Sequence, residues 1–222
     1  MDSAEHDGSS SSPSDNLLEI ESVGGTVGGY RVVLEDGSSF FVSTSLFKEL
    51  GLSEGDRLNP EEQAELAAAS YRSQFQLARE KALSFLARRE HTGLEIEQKL
   101  HKRDFPREVI NDVVAQLKER NELDEARYAE QWLRVKMRRN PLGPAKARAT
   151  LLERGVPEGI ALRVLEELET EQPDCWREAA ERVVRKMPDR RRITKEKCIQ
   201  RLMRRGFSGA HLEGMDLDAL LG

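Results

Sequence analysis

The amino-acid sequence predicts a mostly α-helical protein: three tandem three-helix repeats forming an elongated, curved solenoid, preceded by a small antiparallel β module. Three observations carry this expectation. Shifting the chain by 51 residues superposes Ala78, Ala129 and Ala180, then Leu100, Leu151 and Leu202, then Arg103, Arg154 and Arg205, without an insertion. Apolar residues recur at strand spacing as far as Val42 and at helical spacing from Ser45 onward. The 222 residues are 34% charged and only 5% aromatic, the balance of a charge-rich helical chain.

Residues 1–16 are acidic and Ser-rich, too polar to offset their own ordering entropy, and are expected to form a disordered tail. Residues 17–59 form the β module. Leu18 to Val23, Tyr30 to Leu34 and Phe40 to Val42 predict a three-stranded antiparallel sheet or a hairpin plus an edge. The Asp36-Gly37 pair supplies the left-handed backbone that a tight hairpin turn demands. Gly24, Gly25, Gly28 and Gly29 precede no Gly-Lys-Ser/Thr, so they read as a flexible strand connection and not as a phosphate loop. A short helix follows near Ser45 to Leu50, stopped by Gly51, and a longer one starts at about Pro60, where Glu61 and Glu62 complement the helix dipole.

The repeats occupy residues 60–121, 122–171 and 172–222. In the first, the helices are expected at 69–89, 93–102 and 106–118. Thr92 and Glu95 have capping-box spacing, and Pro106 and Pro157 suit the first position of a third helix. Asp124 and Gly143-Pro144 start helices in the second unit, Asp174 and Thr194 in the third. Ala82, Phe85 and Leu86, then Ile96 and Leu100, then Ile110, Val113, Val114 and Leu117 are the core stripes.

Charge is distributed unevenly. The net charge of −5 averages an acidic head, with 3 Lys/Arg against 14 Asp/Glu in residues 1–70, and basic helical segments. Residues 134–152 hold Arg134, Lys136, Arg138, Arg139, Lys146 and Arg148 and no acid. Residues 177–205 hold 12 basic residues against 4 acidic ones, among them Arg190, Arg191, Arg192, Lys195 and Lys197. Such asymmetry points to an interaction surface for DNA phosphates or acidic protein patches, against the simpler account of solvated helix faces. Arg103, Arg154 and Arg205 precede the turn after each second helix, where a cation favours the last carbonyls; an evenly spaced row for phosphate contact is the alternative.

No apolar stretch approaches the roughly 20 residues a bilayer span needs, and a cytoplasmic chain is expected. Cys175 and Cys198 read as small buried thiols, with no companion motif for zinc. His6, His91, His101 and His211 are isolated, and no nucleophile elbow or phosphate-binding loop occurs, so neither catalysis nor a cofactor is expected.

Several segments together resemble the RecX family, bacterial regulators of the RecA recombinase: Ala82 to Arg89, Thr92 to Leu100, Leu117 to Ala129, Gly143, and Leu151 to Val156. The resemblance covers roughly residues 75–210. Asp124-Glu125 stands where many members have two aspartates, Tyr128 where they have Phe, and Ala147 where they have a bulky aliphatic residue. The resemblance implies a non-enzymatic protein that binds RecA filaments on single-stranded DNA and limits filament extension, recombination and co-protease activity; a monomer is expected. Double-stranded DNA is a further candidate partner. A helix-turn-helix-like DNA-binding regulator and a helical interaction scaffold are the alternatives from other classes.

Overall fold

A computed structural model describes residues 16–222 apart from the Arg190 side chain. The expected tail, save Asn16, lies outside the described residues. These form a mostly helical chain with three-helix units and a small antiparallel sheet. They divide into two compact units, one gathering residues up to Glu80 with Phe105–Ile110, the other Lys81–Asp104 with Asn111–Gly222.

The first unit contains β1 (Leu18–Thr26), β2 (Gly29–Leu34), β3 (Ser39–Ser43), α1 (Thr44–Leu50), β4 (Arg57–Leu58) and the start of α2 (Pro60–Leu86). The sheet has four strands, in the order β3-β2-β1-β4, where the sequence predicts three. β4 is only two residues long, too short to show an alternation, and pairs Leu58 with Leu18. Ile20, Val32, Leu34, Val42 and Leu58 point to one face, and Leu66 and Ala69 of α2 pack on it. α2 also closes the outer edge of β3. The Phe41 and Ser43 amides donate to the buried hydroxyls of Ser70 and Ser73, each at 3.0 Å, so this edge offers fewer free groups to another strand.

The glycine-rich stretch is not a flexible connection. Gly24 and Gly25 lie within β1, paired with Arg31 and Tyr30, and only Val27-Gly28 forms the turn. A side chain at Gly29 would run into the Val42 carbonyl oxygen of the adjacent strand. In the next turn Gly37 alone takes the left-handed conformation, at φ 82°, while the Asp36 carboxylate accepts the Ser38 amide and hydroxyl.

The second unit holds the end of α2, then α3 (Gly93–His101), most of α4 (Arg107–Glu119), α5 (Glu125–Arg139), α6 (Pro144–Glu153), α7 (Glu158–Glu171), α8 (Cys175–Arg185), α9 (Lys195–Arg204) and α10 (Leu217–Leu221). Several expected boundaries shift. The helices expected from Pro60 and from 69 are one continuous α2, since no residue between them breaks a helix. Pro106 and Pro157 are caps and not first helical residues: their carbonyls accept the Ile110 and Ala161 amides. Thr92 caps α3, but the Glu95 carboxylate leaves the capping box and pairs with Arg89 and Arg154. Asp174 makes no side-chain cap bond and pairs with Arg177 instead. The last helix of the third repeat is split into a 3-10 turn at Gly209–Leu212 and α10, with Gly214 at φ 75° between them.

Repeat-equivalent positions adopt equivalent geometry. Ala78, Ala129, Ala180, Leu100, Leu151 and Leu202 are all fully buried. After each second helix comes a left-handed residue: Asp104 at φ 60°, Gly155 at 85° and Gly206 at 88°. Two junctions are built alike from these turns. The Thr92 hydroxyl, at the start of α3, donates to the Arg154 carbonyl at 2.7 Å. The Gly143 amide, at the start of α6, donates to the Arg205 carbonyl at 2.9 Å. Gly155 and Gly206 admit this approach, because a Cβ at Gly155 would lie 2.5 Å from Leu94 Cβ and one at Gly206 would meet the Lys146 amide.

His91 lies buried beside the first junction, its Nδ1–H donating to the Arg89 carbonyl at 2.9 Å. Burial holds its pKa below the ordinary imidazole value. The unfolded chain therefore takes up this proton first, and the stability His91 contributes is present above about pH 6.5 and lost as pH falls below it. Urea unfolding at pH 7 and pH 5.5 is expected to show a smaller loss on acidification for His91→Gln than for the native chain; equal losses would refute the assignment.

Candidate interaction surface

α5 starts on the Asp124 carboxylate, which accepts the Ala126 and Arg127 amides, and its last turns carry the first group of predicted cations. Lys136 is partly covered by Trp132, its Nζ 5.6 Å from the ring. Arg134 and Arg138 line a groove between α5, α7 and α8 that also holds Glu130, Glu167, Glu171 and Glu178. Arg139 is exposed. On α6, Lys146 is exposed while Arg148 is ion-paired with Glu158 of α7. Among the described residues, α6 thus presents a single unpaired cation, Lys146.

In the third repeat, Arg191 and Arg192 are exposed on the 3-10 turn Arg190–Arg192, and Lys197 is exposed on α9. Lys195 pairs with Asp218 at 2.5 Å, a bond that raises its pKa. The Arg190 side chain lies outside the described residues. The structure therefore distributes the predicted cations over several environments, some neutralised and some facing carboxylates.

Two adjoining concavities share a rim of Lys186, Met187 and Pro188. One is lined further by Asn140, Pro141, Arg201, Arg204 and Arg205, the other by Arg185, Asp189, Arg191 and Arg192. Among the described residues, Asp189 is the one carboxylate in either lining. It accepts both Arg201 amino groups, at 2.7 and 2.8 Å, which lowers the Asp189 pKa and raises that of Arg201. Arg185 pairs with Glu181. The other fixed cations meet neutral acceptors: Arg205 donates to the Asn140 side-chain oxygen at 2.8 Å, and Lys186 to the Arg139 carbonyl at 3.4 Å. Such bonds orient a cation without cancelling its charge, so the trough has an excess of positive charge. Lys186, Arg204 and Arg205 belong to the basic run 177–205, but only the fold brings them to one trough.

The repeat-equivalent arginines are engaged differently. Arg103 donates to the Lys99 carbonyl at 2.9 Å and lies over Phe85, its guanidinium 4.8 Å from the ring centre, as the helix-end reading expects. Arg154 reaches Glu95 and the Tyr128 hydroxyl, and Arg205 reaches Asn140, so both reinforce the junctions.

Cys175 and Cys198 are free and buried. Burial, with Glu169 nearby, pushes the Cys175 thiol up to about 11, so it remains protonated at neutral pH. Among the described residues, no cluster of His, Cys, Asp and Glu is placed to hold a metal, and no helix is long and apolar enough to cross a membrane.

Comparison with known proteins gives consistent matches. The family description "RecX, first three-helix domain" fits residues 78–117, and "RecX, second three-helix domain" fits residues 124–165. The regulatory protein RecX of Chlorobaculum tepidum is 36% identical over 126 residues, covering 57% of this chain and 78% of that protein. That of Halorhodospira halophila is 37% identical over 137 residues, covering 59% and 80%. A crystal structure of regulatory protein RecX is similar with a TM-score of 0.59 at 25% identity, covering 89% of this chain and 98% of that one. RecX from Lactobacillus salivarius, at 22% identity and a TM-score of 0.54, shares the fold and covers 67% and 94%. With its three-helix units, their order and these relatives in agreement, the chain belongs to the RecX family of regulatory proteins.

Proposed function

We propose that the protein is a non-enzymatic, cytoplasmic, monomeric regulator of RecA that binds RecA filaments on single-stranded DNA and limits their extension, strand exchange and co-protease activity. The observation that supports this reading best is the trough around Lys186, in which Arg191, Arg192, Arg204 and Arg205 have no carboxylate partner among the described residues. It suits acidic protein patches or the phosphates of the filament's DNA. The two like junctions, Thr92 to the Arg154 carbonyl and Gly143 to the Arg205 carbonyl, favour successive helical units that pack on one another, as a stacked array does. The acidic β module at 17–59 precedes this array.

The test is RecA filament assembly on single-stranded DNA with and without the protein. Wild type is expected to slow extension; filaments that extend at an unchanged rate would overturn the proposal. Replacing Lys186, Arg191 and Arg204 together by Glu is expected to weaken filament binding by about tenfold or more. If these cations meet phosphates, the slope of log affinity against log salt should shrink by about 0.7 for each phosphate that is no longer neutralised.

A further inference from the structure

The groove between α5, α7 and α8 carries charges of both signs that leave one another unneutralised. On α5, Glu130, Arg134 and Arg138 follow at four-residue spacing and share one face. Glu130 and Arg134 stand in the order that favours pairing along a helix, yet no ion pair joins Arg134 or Arg138 to Glu130 or Glu171 among the described residues. On α7, Glu167 and Glu171 have the same spacing; Glu167 pairs only loosely with Arg163, at 3.9 Å. On α8, the Arg182 guanidinium donates to the Glu178 backbone carbonyl and not to its carboxylate. The groove is also lined by the apolar residues Leu133, Met137, Val164 and Leu168.

These features discriminate between kinds of occupant. A phosphate backbone would meet the carboxylates of α5, α7 and α8 as well as the arginines, and a purely acidic protein patch would meet the same repulsion. A wholly apolar segment would strip water from both sets of charges without pairing them. An amphipathic helix satisfies all three requirements: its apolar stripe covers the partly exposed Met137 and Leu168, carboxylates on one flank meet Arg134 and Arg138, and amines on the other meet Glu167 and Glu171.

We infer that this groove docks such a helix from a protein partner, while the basic trough meets acidic groups or phosphate. The inference rests on the reading that the partner is the RecA filament, and the helix is then one displayed on the filament surface. It predicts a sign that nucleic-acid binding does not. Removing carboxylates in the double variant Glu130→Lys, Glu171→Lys makes the array more basic, yet it should weaken binding to RecA filaments on single-stranded DNA by about tenfold, and leave binding to the same naked DNA unchanged or tighter. Arg134→Glu with Arg138→Glu should weaken filament binding as well. All four side chains are exposed, and thermal unfolding followed by circular dichroism verifies that each variant remains folded. Filament binding as tight as wild type, or tighter, in the Glu→Lys variant overturns the inference while the RecA reading stands. Wild type that fails to bind filaments overturns the RecA reading and this inference with it.

Discussion

Gly206→Ala is expected to lower the unfolding free energy of the helical unit by roughly 2–5 kcal/mol, the sum of a left-handed penalty and an overpacking penalty. Gly206 sits at φ 88°, and a methyl group there would meet the Lys146 amide and lie 2.6 Å from Lys146 Cβ. The obstacle is largely backbone at the first turn of α6, which cannot rotate aside as a side chain can. Gly143→Ala tests the same junction from its other side. Its φ of −74° is ordinary, so any loss is due to crowding alone: the added carbon would strike the Gly206 carbonyl and the Phe207 amide. Gly159 is the control, because a Cβ there meets nothing within 4 Å and the residue lies in α7. Gly159→Ala should be neutral or stabilising by up to about 1 kcal/mol. Urea unfolding followed by circular dichroism separates these cases, and equal behaviour of Gly206→Ala and Gly159→Ala would refute the packing account of the junction.

Trp176→Ala is expected to remove about 3–5 kcal/mol, as large-to-small core substitutions do. Trp176 belongs to α8 yet is 2% exposed within a cluster that includes Leu133, Val164 and Leu165 of α5 and α7, so its loss opens a cavity between the second and third repeats. The indole Nε1–H is buried without a hydrogen-bond partner. Trp176→Phe deletes that unsatisfied donor along with part of the ring, and the relief of about 1–3 kcal/mol offsets much of the lost packing. The Phe variant should therefore unfold at a urea concentration much closer to wild type than the Ala variant. Equal destabilisation of the two variants would refute both the packing account and the relief of the unsatisfied donor.

The 51-residue periodicity was legible because it preserves both spacing and burial. A 51-residue shift maps Leu100 onto Leu151 and Leu202, and all three prove fully buried, so one periodic pattern reports one packing solution used repeatedly. β4 was not legible, since two residues in extended conformation differ little from a loop until Leu58 is seen beside Leu18. Glu95 illustrates a second limit. Its spacing from Thr92 matches a local capping box, but Arg89 and Arg154 offer charged partners, and charge-assisted bonds outcompete a neutral amide. The basic trough shows a third: Lys186 follows α8 and Arg204 ends α9, and although the charge count marks the run that holds both, it does not show that they share one concavity. The mixed groove is the counterpart, for Arg134 and Arg138 belong to an acid-free run of sequence and still face glutamates contributed by α7 and α8.

The left-handed turn at Asp104 has a bearing on how such an array can grow. The interior turns place glycine where the neighbouring helix start approaches, whereas the first turn places a residue with a Cβ at the same conformation. A further helical unit spliced ahead of residue 104 could not use the existing junction unless Asp104 became glycine. One added after α9 would find Thr194 in the place that Thr92 and Gly143 occupy, with its hydroxyl able to donate as Thr92 does. A helix start brought as close to Asp104 as α3 and α6 come to Gly155 and Gly206 would have to displace its Cβ, so the first turn is not interchangeable with the other two.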